Sequence, residues 1–390
     1  MIEIAERLRD VQEYYFSKKL GEIALLRSAG NDIINLGIGS PDMAPPPEAI
    51  AELIVTATND AAHGYQNYKG IAGLREAFCK WYQKYYRVAL NPETEVLPLM
   101  GSKEGITYIS NTYLNKGDEV LVPDPGYPAY AAATRIAGGV VRFYQLQESN
   151  NWMPELDKLQ NQDLSKVKLM WVNYPHMPTG AKADREVFIK LVEFAGRNNI
   201  LLCHDNPYSF ILNDSPESIL SSKGLSEHVL ELNSLSKSHN MAGWRIGMVA
   251  AHETHIKNIL IAKSNVDSGM FLGLQKAAIV ALNQPEQWYT DLNKVYLTRR
   301  EIAWQIMTTL ECSFQKDQAG LFVWGKLSDA VEDPGQFVDE VLYRAGVFIT
   351  PGFIFGKNGN RYIRISLCAD EAQLMKALNR IKDFKNIKLK

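Results

Sequence analysis

The segment from Ser234 to Arg245 has the residue types and spacing for chemistry on a carbonyl group. It follows an apolar run, and it places Lys237 between two serines and eight positions before an arginine. Burial disfavours the charged form of a lysine, and an uncharged amine is a nucleophile that forms an imine with a carbonyl cofactor. Ser234, Ser236 and Arg245 would supply hydrogen-bond donors to a phosphate. The alternative interpretation is a surface turn with scattered polar side chains.

The spacing of Ser234 and Lys237 also matches S-x-x-K, the serine–lysine pair of penicillin-binding enzymes. That class needs S-D-N or a similar triplet, followed by K-T-G. Neither S-D-N nor K-T-G occurs in the sequence, and the Y-x-N triplet at 65–67 precedes the lysine instead of following it. These differences argue against a serine–lysine enzyme.

A carboxylate follows a second apolar run, in Cys203-His-Asp-Asn-Pro-Tyr208. The carboxyl end of a strand in a parallel sheet is where ligands bind. Asp205 beside a heterocyclic nitrogen would keep that nitrogen protonated, because an adjacent opposite charge shifts a pKa by about 1–3 units. A protonated ring is the electron sink of pyridoxal chemistry, and Tyr208 could donate to the phenolic oxygen of that ring. A helix-capping role for Asp205 is the alternative.

Three further segments carry weaker signals. The Gly101–Gly105 turn precedes a helical pattern, where free backbone N–H groups form an anion site. A proline-rich turn at 122–128 would present Tyr127 as a flat surface that stacks on a planar ring. Near the carboxyl terminus, Arg364 lies in a predicted strand, from which a guanidinium could hold a substrate carboxylate in a bidentate fork.

The elements that must position these residues form two groups along the chain. Short β-rich runs alternate with helical patterns between about 95 and 251, which predicts an α/β fold with a mainly parallel sheet covered on both faces. The runs are Glu95–Met100, Glu119–Val122, Val140–Tyr144, Val167–Val172, Ile200–Cys203, Val229–Asn233 and Ile246–Ala250. The carboxyl-terminal part of the chain, from about residue 287, has the pattern of a small α+β domain. Its predicted helices are 287–310, 336–344 and 371–384, and its predicted strands are 322–325 and 362–366.

Composition narrows the class of protein. A chain of 390 residues exceeds the usual size of one hydrophobic core, so a large domain with a smaller companion is expected. The formal net charge is −2, from 42 basic and 44 acidic residues. Because neither sign is in excess, we expect no nucleic-acid partner and no anionic membrane partner.

Cysteine usage and the apolar segments indicate a cytoplasmic protein. The cysteines stand far apart in the sequence, so no zinc ribbon or C-x-x-C motif forms, and we expect no metal site and reduced thiols. The first residues are rich in charge and lack the apolar core of a signal peptide. The most apolar later stretch, 270–282, contains Lys276 and is too short to span a bilayer.

Taken together and in their order along the chain, the motifs resemble those of the class I/II aminotransferases of fold type I, the aspartate aminotransferase superfamily. The resemblance extends over nearly the whole chain. The segments 101–105, 123–128 and 264–269 look most like the LL-diaminopimelate aminotransferase branch and its relatives. The resemblance implies pyridoxal 5′-phosphate as cofactor and amino-group exchange between an L-amino acid and a 2-oxo acid such as 2-oxoglutarate. It also implies a large domain at 45–284 with a sheet of the seven-stranded type. A small discontinuous domain would combine 1–44 with 285–390.

The resemblance assigns cofactor roles to the residues that match the family's motifs. Lys237 matches the lysine that forms a Schiff base with the cofactor and then moves the substrate's Cα proton. Asp205 matches the partner of the pyridine nitrogen, Tyr208 the donor to the phenolic oxygen, and Tyr127 the stacking aromatic residue. The positions that match the phosphate site are Gly101, Ser102, Lys103, Ser234, Ser236 and Arg245.

Other matching residues imply the substrate site and a homodimer. Gly39 and Arg364 match the residues that hold the substrate's carboxylate. Tyr65 matches a tyrosine that the family lends to the phosphate of the neighbouring subunit, and Asn265 matches a residue that reaches across the dimer. Two subunits would therefore share their active sites.

One position departs from the family's pattern. The family usually has Asn-Pro-Thr-Gly, with the amide donating to the cofactor's phenolic oxygen, whereas this chain has Met177 there, preceded by His176. A thioether cannot donate a hydrogen bond, so the cofactor would lose one contact unless His176 replaces it.

Two other functions and the substrate are left open by the residues. A β-lyase or a decarboxylase could use the same site, because the cofactor breaks the bond and the site orients it. A ligand-binding regulator on this fold would need a DNA-binding module, for which the residues before Ile33 leave no room. Aspartate, LL-diaminopimelate or another small amino acid fits the pattern as substrate. Lys103, Tyr14 and Tyr15 are candidates to contact its distal group.

Overall fold

A computed structural model describes residues 2–9, 11, 13 and 15–388 of the chain. Its strands are Ile34–Asn35 (β1), Val96–Leu99 (β2), Glu119–Asp124 (β3), Val140–Gln145 (β4), Val167–Val172 (β5), Leu201–Asp205 (β6), Val229–Ser234 (β7), Gly247–Ala251 (β8), Phe322–Lys326 (β9), Val347–Phe348 (β10), Thr350–Pro351 (β11) and Tyr362–Ser366 (β12). Its α-helices are Tyr15–Ser28 (α1), Pro47–Ala57 (α2), Ala72–Tyr86 (α3), Ser102–Tyr113 (α4), Pro128–Ile136 (α5), Leu156–Gln160 (α6), Arg185–Asn198 (α7), Leu220–Lys223 (α8), Leu235–Ser238 (α9), Glu253–Ser264 (α10), Leu272–Leu282 (α11), Glu286–Thr309 (α12), Pro334–Ala345 (α13) and Glu371–Lys388 (α14).

The central sheet has seven strands in the order β2-β8-β7-β6-β5-β3-β4. Strand β8 is antiparallel to both of its neighbours, and every other pair in the sheet is parallel. The prediction of an α/β fold with a mainly parallel sheet is therefore confirmed. The sequence did not indicate that β8 runs against the others.

Both faces of this sheet are buried, which explains why its strands are apolar runs. On β5, Leu169 and Trp171 pack into the core on one face, while Met170 and Val172 pack into the core on the other. Successive side chains of a strand point to opposite faces, so a strand covered by helices on both sides needs apolar residues at every position. Helices α4, α5 and α10 cover the face that carries Leu169 and Trp171. Helices α3 and α7 cover the face that carries Met170 and Val172.

The chemistry-bearing residues follow the carboxyl ends of parallel strands. Strand β6 ends at Asp205, β7 ends at Ser234 immediately before α9, and β3 leads into the turn before α5. The carboxyl ends of parallel strands lie at one edge of a sheet, so these segments converge. The single turn of α9 carries Lys237, and the hydroxyl of Ser234 caps it by accepting from the backbone N–H of Ser236.

The tail forms a three-stranded antiparallel sheet in the order β11-β12-β9. The predicted strands at 322–325 and 362–366 and the helices at 287–310, 336–344 and 371–384 are confirmed to within a few residues. Arg364 is the central residue of β12, paired with Trp324 on one side and Thr350 on the other. This backbone pairing fixes the position from which its side chain extends.

Among the helices that the structure describes, none combines the length and the apolar character that a membrane-spanning segment requires.

Candidate active site

A cavity of about 580 Å³ opens at the carboxyl edge of the central sheet. Segments that are distant in the sequence line it, and most of the predicted site residues meet there. The predicted residues that line it are Gly39, Ser102, Lys103, Tyr127, Met177, Asp205, Tyr208, Ser234, Ser236, Lys237, Arg245 and Arg364. Gly101, Tyr65 and Asn265 do not line it.

The amine of Lys237 lies within this cavity and donates a hydrogen bond to the backbone carbonyl of Gly39. Burial lowers the pKa of Lys237, and the positive charges of Arg364 and Arg245 act in the same direction. A lysine with a lowered pKa carries more of the uncharged amine at neutral pH. Lys237 is therefore suited to act as a nucleophile and as a proton carrier.

Asp205 is a buried carboxyl group with one oxygen engaged. Its Oδ2 accepts a hydrogen bond of 2.9 Å from the hydroxyl of Tyr130, whereas its Oδ1 has no hydrogen-bond partner among the described residues. Tyr130 stacks on Trp171 with ring centroids 4.9 Å apart, which fixes the direction of its hydroxyl. Burial raises the pKa of Asp205 to about 6. The carboxyl group is thus held in one orientation, and its Oδ1 is free to accept a hydrogen bond from a ligand in the cavity.

Tyrosines and an amide line the cavity beside Asp205. Burial raises the pKa of Tyr208, so its hydroxyl stays protonated and can donate. Tyr127 lies directly before α5, with its ring edge-to-face against Tyr130 at 5.5 Å. Asn173 donates from Nδ2 to the backbone carbonyl of Asp205 at 2.6 Å and accepts at Oδ1 from the backbone N–H of Met177 at 2.7 Å. No role in the site was predicted from the sequence for Asn173 or Tyr130.

Hydroxyls, an arginine and a helix start form the other end of the cavity. The hydroxyls of Ser234 and Ser236 lie 2.8 Å apart, and Arg245 Nη1 donates to Ser236 Oγ at 3.4 Å. Gly101 precedes α4 with a φ of +86°, and a Cβ there would lie 2.1 Å from Arg245 Nη2. Glycine is therefore needed both for the left-handed backbone and for the approach of the guanidinium. The positive end of α4, which begins at Ser102, adds to a site suited to an anion.

Arg364 extends from β12 into the cavity between aromatic rings. Its guanidinium carbon lies 3.8 Å from the ring centroid of Phe322 and 4.6 Å from that of Phe355. Nη2 donates to the backbone carbonyl of Gly37 at 2.8 Å, and Nη1 approaches the sulfur of Met177 at 3.1 Å. The guanidinium is buried and held in place, which suits a bidentate grip on a carboxylate.

Met177 lines the cavity, whereas His176 does not. His176 is buried, with its Nδ1 at 2.8 Å from the hydroxyl of Thr179. Burial lowers the pKa of His176 to about 3, so its imidazole is uncharged at neutral pH. The side chain that faces the cavity at this point is therefore a thioether without a donor.

Tyr65 and Asn265 lie on the outer surface of the chain. The side chain of Tyr65 is 93% exposed, and Asn265 is also exposed. A Cβ on Gly269 would lie 2.6 Å from the backbone oxygen of Gln66, so the segments that carry the two residues pack against each other. The surface that these segments form is separate from the cavity of the same chain.

Lys103 is exposed at the edge of the cavity and also lines a second cavity of about 550 Å³, together with Tyr15. Tyr14, another candidate for a distal contact, lies outside the described residues.

These features fit pyridoxal 5′-phosphate. The unpartnered Oδ1 of Asp205 suits a protonated ring nitrogen, and the amine of Lys237 suits its carbonyl carbon. The space that Gly101 leaves beside Arg245, Ser234 and the start of α4 suits its phosphate.

Comparisons with known proteins agree with this site. Residues 31–381 match the family described as aminotransferase class I and II. The chain is 38% identical over 387 residues to a protein named LL-diaminopimelate aminotransferase from Dehalococcoides mccartyi, covering 99% of this chain and all of that one. It is 39% identical to the protein of the same name from Moorella thermoacetica, covering 97% of both chains.

Solved structures show the same architecture over the full length. A substrate-bound structure of BacF from Bacillus subtilis superposes with a TM-score of 0.94 at 33% identity, covering 99% of this chain and 98% of that one. An aspartate aminotransferase variant from Thermus thermophilus superposes with a TM-score of 0.91 at 25% identity, covering 98% of this chain and all of that one. The chain therefore belongs to the class I and II aminotransferases and is a pyridoxal 5′-phosphate-dependent transaminase of fold type I.

Proposed function

We propose that Lys237 carries the cofactor and that the site exchanges an amino group between an L-amino acid and a 2-oxo acid such as 2-oxoglutarate. The observation that carries this proposal is the arrangement of three groups around one cavity. They are an amine with a lowered pKa, the carboxyl group of Asp205 and the guanidinium of Arg364. When bound, the cofactor supplies a positively charged ring that accepts electron density from the substrate's Cα.

Lys237 moves the proton in this proposal. The uncharged Nζ takes the proton from the substrate's Cα, and the carbonyl of Gly39 orients the amine. Arg364 holds the α-carboxylate, which fixes the position of Cα relative to that amine. Positioned proton transfer of this kind contributes typically about 10²–10⁴-fold to the rate.

The remaining residues hold the cofactor. Asp205 Oδ1 would accept from the ring nitrogen, Tyr208 would donate to the phenolic oxygen, and Tyr127 would stack on the ring. The phosphate is held by Gly101, Ser102, Lys103, Ser234, Ser236 and Arg245. Arg245 and Lys103 are exposed in the single chain. A side chain from a partner subunit could therefore reach the phosphate site.

We also propose a homodimer in which Tyr65 and Asn265 complete the partner's site. Support comes from the outward position of both residues and from the apolar surface around them. Val266 beside Asn265 is 71% exposed, and Tyr68 is exposed as well. Exposed apolar side chains on two segments that pack against each other support a protein–protein interface here.

The proposed division of the chain is a large domain at 45–284 and a small domain that combines 1–44 with 285–390. The parallel pairing of β1 with β10 supports it, because it joins the two distant pieces of the small domain. We propose the cytoplasm as the location, in line with four cysteines that form no disulfide.

Borohydride reduction of the cofactor-loaded protein, followed by peptide mass mapping, tests the assignment of Lys237. The adduct is expected on the peptide that contains Lys237 and is expected to be absent from Lys237→Ala. Lys103→Ala is the matched control and should keep the adduct. An adduct on Lys103, or none on a yellow protein, would contradict the proposal.

The products of a single turnover test the reaction. One equivalent of oxo acid without ammonia is expected from each loaded site, whereas ammonia release would indicate a β-lyase. The names of the relatives make LL-diaminopimelate the first amino donor to test.

A further inference from the structure

One end of the cavity is walled by hydrocarbon side chains. Phe16 and Leu20 on α1, Ile38 after β1, Phe322 on β9 and Phe355 line it. We call this set the apolar end. None of these side chains carries a polar atom, and they come from four separate segments of the chain. Ser17 on α1 also lines the cavity, and its hydroxyl donates to Glu13 at 2.7 Å.

The apolar end lies beside the groups that position the substrate. Ile38 directly precedes Gly39, whose carbonyl accepts from Lys237, and a Cβ on Gly39 would lie 2.2 Å from Phe322. Phe322 and Phe355 flank the guanidinium of Arg364. A substrate with its carboxylate on Arg364 and its Cα at the amine of Lys237 would place its side chain next to these walls.

Among the described lining residues, Arg364 is the charged group against the apolar end, and in the proposed function the substrate's carboxylate binds it. The acidic and basic side chains that line the cavity are Lys103, Asp205, Lys237, Arg245 and Arg364. Asp205 is the only acid among the described lining residues, and the ring nitrogen of the cofactor would occupy its free oxygen. A distal ammonium would therefore be buried without a carboxylate partner, which is unfavourable.

On the surface that we propose to complete the partner's site, the acid in the segment of Asn265 is Asp267, which is buried and paired with Lys263. Tyr65 contributes a hydroxyl and Asn265 an amide, and Gln66 and Asn67, which follow Tyr65 in the sequence, are also uncharged. Lys103 is the cation at the edge, and it lies at the start of α4 with the phosphate-site residues.

We propose that the apolar end is the subsite for the substrate's side chain and that it selects large apolar or aromatic amino acids over acidic and diamino acids. This inference rests on the proposed function and names its substrate class. Removing a large apolar side chain from water against aromatic walls favours such substrates by roughly 10–100-fold over charged ones.

Rates of the first half-reaction test the preference. The cofactor-loaded enzyme is mixed with excess L-phenylalanine, L-leucine, L-aspartate or LL-diaminopimelate, and the visible absorbance is followed. L-Phenylalanine or L-leucine is expected to exceed the others in kcat/KM by at least about tenfold. A higher value for L-aspartate or LL-diaminopimelate overturns the inference and leaves the proposed function intact. No absorbance change with any amino acid contradicts the proposed function itself.

Calorimetric binding of unreactive acids tests the subsite without turnover. We expect 3-phenylpropionate to bind roughly tenfold more tightly than succinate or pimelate, the last being the diacid with the chain length of diaminopimelate. Tighter binding of either diacid would overturn the inference.

Variants of the wall locate the subsite. Leu20→Ala and Ile38→Ala should each weaken 3-phenylpropionate binding roughly 3–10-fold and leave succinate binding unchanged. Leu25→Ala is the matched control, because Leu25 lies on the same helix, is 73% exposed and does not line the cavity. Unchanged binding in both wall variants, or equal losses for both acids, would overturn the inference.

Discussion

Asp205 combines burial with a free acceptor oxygen, and this combination makes cofactor binding depend on pH. Burial raises the pKa of Asp205 to about 6 in the chain without cofactor. A protonated ring nitrogen favours the ionised carboxylate and so lowers that pKa when the cofactor binds. Below pH about 6, binding must first remove the proton from Asp205, so affinity falls as pH falls, by up to about tenfold per pH unit.

The dissociation constant of the cofactor between pH about 5 and about 8, followed by tryptophan fluorescence, measures this dependence. The Asp205→Asn variant is the control, because the titration of the cofactor's own groups persists in it. The wild-type slope should exceed the slope of the variant. Equal slopes would mean that Asp205 does not titrate on binding.

Because Met177 cannot donate a hydrogen bond, we expect a second pH effect, in the midpoint at which the visible absorbance of the bound cofactor titrates. An amide at this position would donate to the ionised phenolic oxygen, and a hydrogen bond to the charged form of a group lowers its pKa. The wild-type absorbance midpoint should therefore lie above that of Met177→Asn, by about 0.5–1 unit for one ordinary hydrogen bond.

His176→Ala separates the two residues in that titration. His176 does not line the cavity, and its Nδ1 lies 2.8 Å from Thr179, so the midpoint should stay in place. If Met177→Asn leaves the midpoint unmoved and His176→Ala raises it, the imidazole has replaced the missing amide donor.

At the scale of the elements, a buried polar network joins β6 and β7 to α3 beneath the site. Glu231 on β7 is fully buried and accepts from Tyr82 at 2.7 Å, Ser218 at 3.0 Å and the backbone N–H of Ile219 at 3.0 Å. Its Oε2 also lies 2.8 Å from Nδ1 of His204, the residue before Asp205. This network anchors the end of β6 that presents Asp205.

Glu231→Gln should destabilise the protein markedly. The amide keeps one acceptor oxygen but turns a donor toward the donors of its neighbours, which leaves buried polar groups unpaired. We expect the free energy of unfolding to fall by about 2–4 kcal/mol, measured as a lower urea midpoint. Glu227→Gln is the matched control, because Glu227 is exposed. Equal midpoints for the two variants would show that the network is not stabilising.

The elements were predictable because burial on both faces leaves an apolar run for each strand. All seven predicted strands of the central sheet occur with ends shifted by no more than two residues. Their order and the reversed direction of β8 were not predictable, since an isolated run carries no information about its neighbour. Phe16 and Phe322 were missed at the site for a related reason. An apolar side chain that lines a cavity has the same residue type as one in the core.

At the scale of the whole molecule, the outward-facing segments are tied to the cavity of their own subunit. The hydroxyl of Tyr108 on α4 lies 3.0 Å from Asp267 in the segment of Asn265 and 2.9 Å from Glu104 on α4, and it shares its proton between the two carboxylates. Lys263 pairs with Asp267 at 2.9 Å in a buried position. The surface proposed to enter the partner's site is thus connected to the helix that begins at the phosphate site. A rigid connection of this kind would position both sites of a dimer together.

Subunit mixing tests whether the two sites are shared. Lys237→Ala and Tyr65→Ala should each have little activity alone, the first for lack of the amine and the second for weak hold on the phosphate. In a mixed dimer, the site that keeps Lys237 would receive Tyr65 from the Lys237→Ala subunit and would be native. If subunits exchange at random, an equal mixture should regain about a quarter of the wild-type activity, because half of the dimers are mixed and each has one native site. A mixture that shows only the average of the two separate variants, although light scattering finds dimers and labelled subunits exchange, would mean that Tyr65 serves its own subunit or none.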